Sequence, residues 1–359
     1  MTVTVRILIG DVREQLRTLP ADFVHCVVTS PPYWGLRDYG VAGQIGLEAS
    51  PSEFIATMVE VFDEVRRVLR PDGTCWVNMG DSYAGNRGST NSPAIGLKHR
   101  SASGDAQRQM ITSRRRDDAP IPRSDVRVPG LKPKDLVMMP HRLAIALQDA
   151  GWWVRQDIVW HKPNPMPESV RDRCTKAHEY IFLLTKSESY YYDQDAISEP
   201  VSPNTHARLA QDVQNQKGSA RANGGTKTNG TMKAVGRKLA DAGSGIKSNS
   251  SFDAALAMPV DRRNKRSVWT ITTQPFSEAH FATFPPELPE MCIKAGCPPG
   301  GLVLDPFFGA GTTGLVADRL QRDCIGIELN PAYAEIARRR IQGEASLLAD
   351  VTLETKEAA

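Results

Sequence analysis

The chain has 359 residues, 40% of them apolar and 24% charged, and its 44 Lys and Arg against 41 Asp and Glu leave a formal charge of +3. A chain of this size can bury about 75% of its unfolded surface, enough for one large globular domain or two modest ones. No stretch approaches the roughly 20 apolar residues of a membrane span, and the start MTVTVRILIGD lacks the basic and apolar regions of a signal peptide, so a cytoplasmic protein with no membrane partner is expected.

In chain order, apolar runs predict strands at 3–10, 25–30, 73–80, 155–162, 179–187, 302–307 and 323–329. Helical periodicity predicts helices over 52–69, 136–150, 286–295, 312–320 and 331–341. Strands alternating with helices of this length imply a mainly parallel, doubly wound sheet covered on both faces. The runs at 155–162 and 179–187 are joined by a proline-rich stretch without helical period, which predicts a local antiparallel pair.

Two segments stand apart. Residues 84–135 hold eleven Lys or Arg against five Asp or Glu, and residues 201–267 hold twelve against four, so they carry +6 and +8 and leave about −11 for the rest. Both are rich in Gly, Ser, Asn and Thr and show no period, as in NRGSTNSP and NGGTKTNGT. A solvated loop explains either one alone; two basic insertions in one chain favour a polyanionic partner such as nucleic acid. The expected organisation is a first half-domain at 1–83, an insertion at 84–135, the domain's continuation at 136–200, a second insertion at 201–267, a further half-domain at 268–345 and a tail at 346–359. The six Cys, at 26, 75, 174, 292, 297 and 324, contain no Cys-x-x-Cys pair and read as buried thiols, with neither a disulfide scaffold nor a metal site.

In such sheets ligands sit at the carboxyl ends of the strands, which directs attention to two places. The first is Asp305-Pro306-Phe307-Phe308-Gly309-Ala310-Gly311-Thr312-Thr313-Gly314, between a strand and a helix. Glycines let backbone approach a ligand, the helix start offers unpaired N–H groups, and Thr312 is positioned to cap it. The Gly-Lys-Ser/Thr of a phosphate-cradling loop is missing. Glu328, 23 positions after Asp305, ends the next strand, where it can accept hydrogen bonds from ribose hydroxyls. Together these features indicate a nucleoside-bearing cofactor with no need for a pyrophosphate.

The second place is Thr29-Ser30-Pro31-Pro32-Tyr33-Trp34. Two prolines withdraw two N–H donors, leaving carbonyl oxygens and the Ser30 hydroxyl beside an aromatic plate, a setting suited to a planar ligand with an NH₂ group. The competing interpretation is a rigid turn with Tyr33 and Trp34 packed into the core.

DPFFGAGTTG, TSPPYW and IGIEL together resemble the cofactor motif, catalytic motif and ribose-binding acid of the amino-methylating DNA methyltransferases, beta group. Gly10-Asp11, Leu69-Arg70-Pro71-Asp72-Gly73, Trp160-His161-Lys162-Pro163-Asn164-Pro165 and Phe281-Ala282-Thr283-Phe284-Pro285 add to the resemblance. It implies the class I methyltransferase fold, S-adenosyl-L-methionine as cofactor, double-stranded DNA as substrate, and no metal. By resemblance the catalytic residues are Ser30, Pro31, Pro32 and Tyr33. Asp305, Phe307, Gly309, Gly311, Thr312, Glu328, Phe284 and Asp11 fall on the cofactor, and Trp34, Lys162 and Asn164 on the flipped nucleotide. The Ser form of the tetrapeptide resembles N4-cytosine enzymes, with N6-adenine methylation as the alternative and a non-catalytic nucleic-acid-binding protein as a further one. A C5-cytosine enzyme is rejected, because Cys297 lacks a preceding Pro and lies at a helix end. His178 and Glu179 are adjacent on a strand edge, so they would point to opposite faces rather than form an acid–base pair. A homodimer and a cognate restriction endonuclease stay open as partners.

Overall fold

The computed structural model describes residues 3–35, 40–84, 130–201, 262–274, 283–344 and 350–355. Most of both basic insertions, and Phe281-Ala282, therefore lie outside the described residues. These divide into two compact units, one of residues 1–193 and 266–359 and one of residues 194–265.

The first unit is built on one sheet. Its strands are β1 (Thr4–Ile9), β2 (Val24–Thr29), β3 (Leu69–Met79), β4 (Trp153–His161), β5 (His178–Thr185), β8 (Val268–Thr270), β9 (Leu302–Asp305), β10 (Asp323–Glu328) and β11 (Asp350–Thr355). Their spatial order is β11-β1-β10-β9-β2-β3-β5-β4-β8. Neighbours run parallel except for β5, which is antiparallel to both β3 and β4. The antiparallel pair expected from the sequence is thus present, with Ile158 opposite Ile181. In the second unit, β6 (Glu199–Pro200) pairs antiparallel with β7 (Arg262–Arg263), and Arg263 Nε donates to Glu199 at 2.9 Å.

The helices of the first unit are α1 (Val12–Thr18), α2 (Pro51–Val68), α3 (Met139–Asp149), α4 (Glu287–Gly296), α5 (Thr312–Arg319) and α6 (Pro331–Glu344). In α2 the local signals agree with the packing. Ser50 accepts the Glu53 N–H at 3.2 Å as N-cap, Glu53 reaches back to the Ala49 N–H at 3.1 Å, and Pro51 takes the first helical position, where its missing N–H has no partner to lose. Phe54, Met58, Val61, Phe62, Val65 and Val68 recur at helical spacing and are each fully buried. Each such side chain contributes about 1.5–3 kcal/mol on burial, so this stripe attaches the helix to the sheet. The Phe62 ring meets Trp152 edge-on at 6.3 Å, next to α3.

Several expectations need correction. Leu69-Arg70-Pro71-Asp72-Gly73 does not precede a strand but forms the first half of β3, where pairing with β2 slips from Val24–Leu69 to Cys26–Thr74 through a bulge. The tail at 346–359 contains β11, parallel to β1, with Arg6 and Glu354 joined by bonds of 2.7 and 2.8 Å. Short α1 and β8 offered too few residues for a visible period. Five cysteines are buried as expected, but Cys174 is exposed.

Because β1 lies on one side of β9 and β2 on the other, the chain winds outward in both directions from the β9–β2 boundary. Loops leaving these two strands diverge there and open a cleft at their carboxyl ends.

Candidate active site

The cleft is lined on one side by the loop after β9, the end of β10 and Asp11, and on the other by Ser30 to Tyr33. Asp305 joins the two sides. It is 1% exposed; its Oδ1 accepts from Thr29 Oγ1 at 2.7 Å and the Phe307 N–H at 3.1 Å, and its Oδ2 accepts from Thr313 Oγ1 at 2.7 Å. Burial pushes its carboxyl up to about 6, against the pull of these hydrogen bonds. Asp305 therefore acts by tying β2, β9 and α5 together.

Glu328 closes β10 in the cleft wall. Its Oε2 accepts the Gly309 N–H and its Oε1 the Asn330 N–H, both at 2.8 Å. Burial raises it to about 6 as well, with the two backbone bonds working in the opposite direction. Gly309 has φ +51 and nothing within 4 Å of where a Cβ would stand, so a side chain here would be strained and unopposed. Gly311 differs. Its φ is +74, it caps α5 without a side chain, and a Cβ would meet the Ala337 Cβ of α6 at 2.8 Å, so it is needed for packing and does not line the cleft.

Thr312 lines the cleft as the first helical residue of α5 rather than capping it, and its Oγ1 accepts from Arg340 at 2.9 Å. Phe307 and Phe284 line the cleft. Asp11 does so while capping α1, accepting the Arg13 N–H at 2.8 Å. Burial of Asp11 is more than offset by its bonds to Arg13, so its carboxyl stays below the usual range.

On the opposite side, Tyr33 Oη donates to Glu179 Oε2 at 2.9 Å, and its ring edge presses on Gly80, whose Cβ would stand 2.7 Å from Cε2. Burial first, then the Glu179 charge, holds the phenol well above its ordinary pKa, so it is a neutral donor. Glu179 also accepts from Asn78 Nδ2 at 3.2 Å and from Lys162 Nζ. The Lys162 ammonium stands 4.2 Å above the Trp160 ring. Trp34 packs partly against the core and donates its indole N–H to the Glu48 carbonyl at 2.9 Å. Asn164 exchanges two hydrogen bonds with the Thr273 backbone, at 3.0 and 3.2 Å, so its amide is committed.

Sequence reasoning named Lys162 and Glu179 separately but not their pairing, and it missed Asn78, which joins Lys162 on the same carboxylate. Glu179 does not pair with His178, which meets Tyr180 edge-on at 5.3 Å. The strand alternation that separated the two residues was the available signal for placing Glu179 on the Tyr33 face. Cys297 ends α4 buried, its thiol pushed up to about 12 by burial, which disables it as a nucleophile.

Among the described residues the cleft wall includes Asp11, Asp305 and Glu328 but neither Lys nor Arg. Such a wall disfavours a phosphate and favours a ligand carrying positive charge. No group of three or more His, Cys, Asp or Glu able to hold a metal occurs among the described residues, and no helix there is long and apolar enough to cross a membrane.

The family model described as DNA methylase, covering N6 and N4 enzymes, matches residues 24–339. The chain is 44% identical to the Type II methyltransferase M.Cfr9I of Citrobacter freundii, across 93% of this chain and 87% of that protein. It is 41% identical to M.SmaI of Serratia marcescens, across 94% and 90%. Its fold is similar to that of the putative DNA modification methylase TTHA0409 from Thermus thermophilus, solved with S-adenosyl-L-methionine, at TM-score 0.55 and 21% identity over 99% of both chains. It is also similar to the PvuII DNA methyltransferase (cytosine-N4-specific), at TM-score 0.55 and 20% identity over 96% of this chain and 95% of that one. With a strand-end cleft that suits a cationic ligand and a family match over most of its length, the chain belongs to the N6/N4 DNA methylases, a family of S-adenosyl-L-methionine-dependent methyltransferases.

Proposed function

We propose that this chain methylates the exocyclic N4 of cytosine at a specific site in duplex DNA. The observation that carries this reading is Ser30, a neutral and short acceptor following β2 at the mouth of the cleft, directly after the Thr29 that Asp305 anchors. When bound, S-adenosyl-L-methionine supplies an electrophilic methyl group on a sulfonium. Glu328 would accept from its ribose hydroxyls, Gly309 would let backbone approach it, and Phe284, Phe307 and Asp11 would enclose it.

An amine conjugated to a pyrimidine ring is a poor nucleophile because its lone pair is delocalised. Ser30 Oγ and the Pro31 carbonyl accept its two N–H bonds and favour the geometry in which that pair localises toward the cofactor. The target base must leave the duplex first, at a cost of a few kcal/mol. Stacking against Tyr33, worth about 1–3 kcal/mol, offsets part of this. Glu179 positions Tyr33 through its phenol, and Lys162 balances the carboxylate's charge. The basic insertions at 84–135 and 201–267 supply phosphate contacts and target recognition. The Type II methyltransferase names of its relatives support the expectation of a cognate restriction endonuclease for this chain.

Mass spectrometry of nucleosides from unmethylated DNA treated with the protein tests the reading. N4-methylcytosine is expected. N6-methyladenine as the main product would overturn the cytosine assignment, and sequencing of the modified DNA would read out the site.

A further inference from the structure

The arm between β4 and β5, residues 162–177, is largely exposed but is fixed at both ends and at several points between them. The topology sets its location. β3 is parallel to β2 and β5 antiparallel to β3, with Met79 opposite Tyr180, so β5 begins and β4 ends on the sheet edge that carries Ser30. The arm starts at Lys162, whose ammonium is bound by Glu179, the same carboxylate that holds Tyr33. Its base is closed by the Lys162 N–H on the Ala177 carbonyl at 2.8 Å.

Further staples follow along it. Asn164 is paired with the Thr273 backbone, Arg173 donates to Glu168 at 2.6 Å and covers Tyr83 at 4.0 Å, Asp172 accepts from Lys134 at 2.6 Å, and Lys176 donates to the Asp81 carbonyl at 3.0 Å. Pro163, Pro165 and Pro167 restrict the backbone to extended conformations. Between the last two stands Met166, 79% exposed, the most exposed large apolar side chain among the described residues. A stiff, anchored arm that presents one flexible apolar side chain to solvent beside a base-flipping site calls for a partner that accepts it.

We propose that Met166 is the wedge that enters the DNA base stack and fills the space left by the flipped target nucleotide. The occupant is the duplex itself, so the inference rests on the DNA methyltransferase reading above. Four residues of extended chain span at most about 14 Å from Lys162, which keeps Met166 within reach of the Tyr33 pocket. An unbranched apolar side chain suits insertion between base steps, as apolar wedges do in other DNA-bending proteins. The nearby aromatic alternatives are committed elsewhere: Trp34 to Glu48 and Tyr83 beneath Arg173.

The test measures methyl transfer by the full chain to two short duplexes carrying the site that the wild-type protein methylates. In one the target base is normally paired; in the other it faces an abasic position, so that extrusion needs little work. Met166→Ala should lower kcat/KM at least tenfold on the paired duplex and less than threefold on the unpaired one, with unchanged affinity for S-adenosyl-L-methionine showing that the fold is intact. Met166→Leu should stay within threefold of wild type on both. Wild-type rates for Met166→Ala on the paired duplex, or an equal deficit on both duplexes, would overturn the proposal. If the wild-type protein methylates adenine rather than cytosine, the reading of Ser30 fails while the two-duplex comparison still decides the role of Met166.

Discussion

On the side of the cleft proposed to hold the cofactor, the carboxylate of Glu328 is held by two backbone N–H groups, and that of Asp305 by one N–H and two threonine hydroxyls. On the side proposed to face the base, Tyr33 is held by Glu179, which also engages Asn78 and Lys162, so side chains from β3 and from just beyond β4 converge on the β5 carboxylate that holds the phenol. The first side is a largely backbone cradle around the ends of β9 and β10, tied to β2 and α5 by the two threonine hydroxyls. The second is a side-chain network assembled across three strands. The first is sensitive to main-chain conformation as well as to its carboxylates, whereas the second depends on several side chains that polarise one another. Substitutions on the two sides should therefore separate binding of the cofactor from turnover.

The largest effect is expected at Ser30, the proposed acceptor for the target amine. Ser30→Ala should lower kcat about 10²-fold or more, the scale of one lost transition-state hydrogen bond, while cofactor affinity measured by calorimetry stays at the wild-type level. A proportional loss of affinity would mean that the loop after β2 serves the cofactor, and the division between the two sides would collapse.

On the cradle side, Gly309→Asp puts a strained side chain on a left-handed backbone and adds a carboxylate at the cleft, and Glu328→Ala removes the proposed ribose acceptor and leaves the Gly309 and Asn330 N–H groups without it. Each should weaken S-adenosyl-L-methionine binding by roughly 10- to 100-fold, in line with about 1.5–3 kcal/mol for hydrogen bonds to a charged group. Unchanged affinity in both variants would remove the cofactor from this side.

Glu179→Gln keeps the size of the side chain but discards its charge and part of its bonding to Tyr33 and Lys162. A roughly tenfold fall in kcat is expected with cofactor affinity unaltered, and equal falls in both would make Glu179 a general stabiliser of the fold instead of a positioning residue. The smallest effect concerns pH. Glu328 has its carboxyl raised to about 6 by burial, so it takes up a proton as pH falls through that value and loses strength as an acceptor for ribose hydroxyls. Cofactor affinity should weaken severalfold between pH 7 and 5, and Glu328→Gln should flatten that limb. A limb that persists in the variant would assign the titration to another group.

Much of the cradle was legible in the chain because its parts are local. Asp305 to Thr313 span one strand–turn–helix connection, the glycines mark turns by their freedom at positive φ, and Glu328 ends the next strand at a distance that one helix sets. The pattern did not distinguish Gly309, open to the cleft, from Gly311, closed against Ala337, since both have positive φ and only packing of α6 separates them. Nor did it show that Thr312 answers to Arg340.

Hydrophobic periodicity was enough to determine the alternating fold, the buried face of α2, the β4–β5 hairpin and the proline-stiffened loop at Ser30, because each is dictated by neighbours within a few residues. Only the tertiary structure decided the partners of Tyr33. Glu179 lies 146 positions away in the chain and reaches it because β5 pairs with β3, and a strand register is a property of the whole sheet that no local pattern contains.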